Sequence, residues 1–185
     1  MEKLRAEIRR RLAERDRLLL AIDGRCGCGK SSLAARLAED FGGNVFHTDD
    51  FYLSPEERAE NWPELPAGNM DLARLREEVL EPLRRGGAVR YRAWDCRSGS
   101  FRPAREIPFR PLSIVEGSYS QHPALRGYYD YCLFVTASPE TQRARLRARE
   151  GERFAAFEAL WIPLEERYFA AFQIEERADR VLRTD

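Results

Sequence analysis

The chain has 185 residues, with 31 acidic and 31 basic side chains and 43% hydrophobic residues, enough to bury a core without disulfide or metal staples and suited to one domain, 1–185. Zero formal charge leaves no global positive field to recruit nucleic acid or an anionic membrane, so neither is an expected partner. The opening MEKLRAEIRRRLAERDR is charged throughout and the longest apolar runs are strand-sized, which points to a soluble, cytoplasmic protein.

In chain order, Leu4, Ile8 and Leu12 fall four apart and predict one apolar stripe on a charged helix over residues 2–16, packed across a sheet. Leu18 to Asp23 reads as a buried strand. It runs into GRCGCGKS, Gly24 to Ser31, which is the pattern G-x-x-x-x-G-K-[ST]. In that pattern glycines let the backbone curl so that several N–H groups face phosphate oxygens, and the following helix aims its positive end the same way. Lys30 then reaches the outer phosphates, and the Ser31 hydroxyl suits a magnesium ion. Of the basic residues only Lys3 and Lys30 are lysines, so an arginine-rich chain keeps a compact ammonium where a planar fork would not serve. Gly24, Arg25, Cys26, Gly27, Cys28, Gly29, Lys30, Ser31 and Ser32 are therefore the candidate nucleotide-binding residues, against the plainer reading of a glycine-rich turn without a ligand.

SSLAARLAEDFG continues as a helix closing at Gly42 and Gly43, and NVFHT is a second strand that delivers Asp49, Asp50, Phe51 and Tyr52. Residues 54–69, with three prolines, read as an irregular excursion. MDLARLREEVLEPLRRGG supplies a helix, AVRYRAW a short extended segment, and proline-rich chain leads to LSIVEG, the third buried strand. YDYCLFVTAS is a fourth strand, PETQRARLRAREG a helix, residues 153–178 one or two helices separated near Pro163, and DRVLRT a last strand. Strands alternating with helices argue an α/β fold, a parallel sheet flanked on both faces by helices, with its ligand crevice at the carboxyl ends of the strands.

Asp49, Asp50 and Glu116 follow apolar strands and collect at that rim. Phosphoryl transfer needs acids to hold a metal and to accept the proton of an attacking hydroxyl. Asp49 is the expected base, with Ser31, Asp49 and Glu116 facing the metal. Plainer readings are a buried hydrogen bond for Glu116 and a turn cap for Asp50. Residues 143–153 form a short arginine-bearing lid in which Arg145 and Arg149 share a helix face and would grip phosphates, unless these arginines are only solvated charge. Tyr52, Tyr91, Trp94 and Asp95 are the candidate acceptor-binding residues, with the core as the alternative for the aromatic ones. Cys26, Cys28, Cys96 and Cys132 lack zinc-site spacing, and the two loop cysteines read as small filler rather than a redox pair.

Beyond the single motif, GRCGCGKS, DDFYL from Asp49, SIVEGSYSQHP from Ser113, YYDYCLFV from Tyr128, RLRAREG from Arg145 and WIPLEERYF from Trp161 together resemble the uridine kinase branch of small P-loop kinases. The resemblance implies a three-layer P-loop NTPase fold using ATP and Mg2+ to phosphorylate a primary hydroxyl, as at the 5′ position of uridine or cytidine. It also implies Asp49 as base, Glu116 beside magnesium, and Arg145 and Arg149 on phosphates. The segment YRAWDCRSGS stands where such kinases carry a Y-D-F element, so pantothenate, nicotinamide riboside and sugar phosphates are alternative acceptors. A nucleotide-dependent switch ATPase is the reading from another class. No N-K-x-D or L-S-G-G-Q element occurs. Homo-oligomers are compatible with all of these readings.

Overall fold

The computed structural model describes residues 1–185. Helix α1 (Glu2–Glu14) precedes β1 (Leu18–Gly24), α2 (Lys30–Phe41) and β2 (Asn44–His47). After the excursion come α3 (Leu72–Leu75), a wide π turn (Arg76–Leu80) and α4 (Glu81–Arg84), then β3 (Val89–Tyr91), β4 (Trp94–Asp95), β5 (Ser100–Phe101) and β6 (Arg105–Ile107). Strand β7 (Leu112–Glu116), α5 (Pro123–Arg126), β8 (Tyr131–Thr136), α6 (Pro139–Glu150), α7 (Phe154–Ala156), a second π turn (Phe157–Trp161), α8 (Ile162–Phe172), α9 (Ile174–Arg177) and β9 (Arg180–Arg183) complete the chain.

Five strands form a parallel sheet in the order β2-β7-β1-β8-β9. Every residue of the central β1 is buried, as expected for a strand covered on both faces. Side-chain alternation divides it between two cores. Leu18, Leu20 and Ile22 join Leu4 and Ile8 of α1, Leu33 and Leu37 of α2, and Ile114 and Leu133. Leu19 and Ala21 face the other way, toward Phe46, Leu75, Leu80, Phe134, Tyr168 and Phe169. Each fully buried leucine or phenylalanine contributes about 1.5–3 kcal/mol, so the two cores fix which helices lie on which face. The result is three layers, helix on sheet on helix.

The segment AVRYRAW does not make one strand. It divides into β3, paired with β6, and β4, paired with β5, a ribbon that packs Val89, Tyr91 and Ala93 against the second core.

The expected break at Pro163 does not occur. A proline in an α-helix lacks the donor and presses on the carbonyl four residues back. Here the π turn Phe157–Trp161 lies just before it, and the wider spiral relieves that conflict. The same pairing recurs at Pro82, two residues after Arg76–Leu80. Helical backbone therefore continues through Pro163 to Phe172 and ends instead at Gln173, whose φ of 52° is left-handed.

Candidate active site

The five parallel strands end at one rim, where the loop between β1 and α2 opens into a cleft of about 1860 Å³. Gly24, Gly27 and Gly29 have φ of 134°, 75° and 90°, the left-handed side of backbone space. Cys26, Gly27, Cys28, Gly29, Lys30, Ser31 and Ser32 line the cleft. The main-chain N–H groups of Gly27, Gly29, Lys30, Ser31 and Ser32 donate to no protein acceptor. Such a row of unpaired amides at a helix start is an anion cradle, and it fits a polyphosphate. Gly27 also needs its missing side chain, because a Cβ there would lie 2.9 Å from Leu146 Cγ of α6. Gly27→Ala is expected to cost about 1–2 kcal/mol, measured by urea unfolding.

Lys30 is buried, and its Nζ donates to the carbonyls of Gly24 at 2.5 Å and Arg25 at 3.1 Å, and to Ser118 Oγ at 3.4 Å. Gly24 and Arg25 do not line the cleft. Gly24 presses against Val135 of β8, and Arg25 turns away. Its guanidinium forks onto Glu166 at 2.6 and 3.0 Å and reaches Glu175 and Thr136. Cys28 is fully buried, and Cys26 donates its N–H to Glu165. Burial, with Glu165 adding to it, raises the Cys26 thiol pKa, so it stays a neutral thiol near pH 7.

Asp49 lies in a 3-10 turn, Thr48–Phe51, directly after β2, and lines the cleft. Its Oδ1 accepts from the Tyr52 hydroxyl at 3.1 Å. Solvent reaches it along the cleft, while the enclosing walls raise its pKa by desolvation. Lys30 and the Tyr52 hydroxyl oppose that rise, and Glu116 and Glu165 reinforce it. Glu116 ends β7 beside His47, its register partner on β2, and the pair is joined by a 2.6 Å hydrogen bond. Glu116 raises the pKa of His47 through that bond. Glu116 is itself buried, but the hydrogen bond it makes is only part-buried, and it lines the cleft as well. Asp50 is no turn cap. It accepts from Tyr91 and Arg105, each at 2.7 Å, cross-linking the turn to the β3–β6 ribbon.

Arg145 and Arg149 both border the cleft, each with a protein partner. Arg145 donates to the hydroxyl and carbonyl of Thr184, and Arg149 pairs with Glu150 at 2.7 Å. Of the four candidate acceptor residues, Tyr52 and Trp94 line the cleft. Tyr91 and Asp95 do not. Tyr91 is buried and stacked on Phe51 at 5.2 Å, because β3 turns it into the core. Asp95 is spent within the β4–β5 hairpin on Arg102 and the Arg97 N–H. No cluster of three metal-ligating side chains is present.

Four neighbours of the loop escaped the sequence reading. Glu165, buried in α8, accepts from the Cys26 N–H at 2.9 Å and from the Ser118 hydroxyl. Ser118 links it to Lys30. Asp23 ends the apolar part of β1 with no exposure, accepting from Gly24 N–H, Gln121 N–H and the Tyr168 hydroxyl at 2.7–2.9 Å. Gln142 donates to the Cys26 carbonyl. A signal for Glu165 did exist. It shares the stripe of Leu164, Tyr168 and Phe169, and an acid on an apolar helix face needs a buried partner.

No protein-family model matches the chain, and no curated protein matches it. Solved structures do. One from Bacillus stearothermophilus, described as a possible uridine kinase, superposes with a TM-score of 0.72 at 20% identity, covering 98% of this chain and 100% of that one. The fold is a three-layer α/β P-loop fold. A candidate fructose transport system kinase from a Silicibacter species shares it at TM-score 0.69 and 22% identity, with 90% of each chain covered. A circularly permuted P-loop protein from Saccharomyces cerevisiae, described as a candidate kinase, shares it at TM-score 0.66 and 10% identity, covering 100% and 99%. In this P-loop fold the cradle, Asp49 and Glu116 come from the ends of β1, β2 and β7, three adjacent strands of the sheet.

Proposed function

We propose that residues 1–185 act as one P-loop kinase domain that transfers the γ-phosphate of ATP to a primary hydroxyl of a small metabolite, with uridine and cytidine the first acceptors to test. The observation that supports this most is that five unpaired loop amides, Lys30 and Asp49 open into the same cleft. The amides and Lys30 bind the phosphates. Asp49 accepts the proton of the attacking hydroxyl, and Tyr52 orients Asp49 by its hydrogen bond. Charge spread over a transferring phosphoryl group is stabilised by fixed positive groups and by exclusion of water, the work assigned here to Lys30, Arg145 and Arg149.

A magnesium ion bound with the triphosphate would neutralise phosphate charge. Ser31, Asp49 and Glu116 line the cleft and would hold it. The lack of a preassembled acid cluster fits an ion that takes most of its ligands from phosphates and water. Trp94 and Tyr52 offer flat surfaces for an acceptor ring. Arg58 and Arg97 also line the cleft and favour, as a second reading, an acceptor with an anionic group, such as a sugar phosphate or pantothenate. No helix is long and apolar enough to cross a membrane.

Incubation with ATP, magnesium and a mixed pool of nucleosides, vitamins and sugars, read by mass spectrometry, is expected to add one phosphate to one compound. ATP hydrolysis at the same rate with and without acceptors would replace this reading with a switch ATPase.

A further inference from the structure

Helix α8 places two consecutive acids against two consecutive loop residues. Glu166 is spent on the Arg25 guanidinium, outside the cleft. Glu165 is different. It lines the cleft, its Oε2 takes the Cys26 N–H at 2.9 Å, and its Oε1 takes the Ser118 hydroxyl. Ser118 Oγ in turn lies 3.4 Å from Lys30 Nζ. A carboxylate is an oxyanion with two acceptor oxygens, and in this respect it resembles the terminus of a phosphate chain. At the loop it already holds one main-chain amide and, through Ser118, touches the ammonium. The five amides from Gly27 to Ser32 that lack partners begin immediately beyond that contact.

We propose that Glu165 is an internal anion that competes with the outer phosphate of the nucleotide for the loop, and so sets both its affinity and its preference between triphosphate and diphosphate. This rests on the reading of the loop as a nucleotide site. A bound polyphosphate brings like charge toward a buried carboxylate, and a buried charge is screened less than an exposed one. The repulsion grows with each phosphate that extends toward Cys26. Glu165 therefore opposes ATP more than ADP, and its carboxylate leaves the Cys26 amide when the triphosphate enters.

The test is calorimetric titration of ATP and ADP, with magnesium present, into the wild type and Glu165→Gln. Glutamine keeps an oxygen for the Cys26 amide and removes the charge. ATP is expected to bind Glu165→Gln about tenfold more tightly, with a smaller gain for ADP and a thermal midpoint close to the wild type. Unchanged or weaker ATP binding by a folded Glu165→Gln would make the carboxylate a structural part of the cradle and overturn the proposal. If neither protein takes up ATP, the nucleotide reading itself falls, and the proposal with it. A crystal structure of the wild type with a non-hydrolysable ATP analogue decides the matter without relying on the variant's folding. The Cys26 N–H is expected on a phosphate oxygen, and finding it still on Glu165 would refute the competition.

Discussion

Asp49→Asn is expected to lower turnover by about 10²–10⁴-fold, the range set by losing a general base, while ATP affinity stays within a few-fold of the wild type. Asparagine matches the shape and can still accept from Tyr52, but it cannot take a proton. The five unpaired loop amides and Lys30, assigned to hold the phosphates, are untouched by the change. Desolvation by the cleft walls, together with Glu116 and Glu165, holds the Asp49 pKa above its ordinary value of 3.8 despite Lys30 and Tyr52. A base works only when deprotonated. The acid limb of kcat/KM should accordingly fall at a higher pH than an ordinary aspartate would give, and this limb should disappear in Asp49→Asn. Steady-state kinetics and calorimetry check both parts, and full turnover in the variant would remove Asp49 from the reaction.

Asp23→Ala should be among the most destabilising single changes in the chain, at about 3–5 kcal/mol. The carboxylate has no exposure and takes three donors, the Gly24 N–H, the Gln121 N–H and the Tyr168 hydroxyl. Alanine strands all three in the interior. Burial lifts the Asp23 pKa from 3.8 to about 6, although those hydrogen bonds and Lys30 pull it down. Between these values the folded protein keeps a proton that the unfolded chain has released. The contribution of this group is therefore fully present below pH 4 and is lost as pH rises through about 6. Such a shift corresponds to roughly 3 kcal/mol. The difference between wild type and Asp23→Ala should widen as pH falls from 7 to 4. Urea unfolding across that range measures it, and a loss below 1 kcal/mol would refute the role.

The elements legible in the sequence were those with a local cause. Continuous apolar runs marked β1, β7 and β8, the fourfold spacing of Leu4 and Ile8 marked α1, and Gly42, left-handed at φ 63°, closed α2 where a glycine was expected to. Glycine spacing with Lys30 announced the cradle, and strand ends announced the rim. What escaped had its cause elsewhere in space. The chain passes Pro163 without breaking because of a π turn that no local rule announces. Tyr91 left the site because pairing of β3 with β6 decides its face. Glu165 lies 139 residues from the amide that it accepts, and only the docking of α8 brings them together.

That docking bears on the order in which the protein is made. The loop occupies residues 24–31, yet its shape leans on Glu166 and Glu175, which hold Arg25, and on Thr184, whose hydroxyl donates to the Cys28 carbonyl. A nascent chain emerges amino end first. The loop thus leaves the ribosome before the partners that complete it, and, on the proposed reading of the loop as a nucleotide site, chains halted at residue 165 should retain nucleotide poorly however well their first strands have folded.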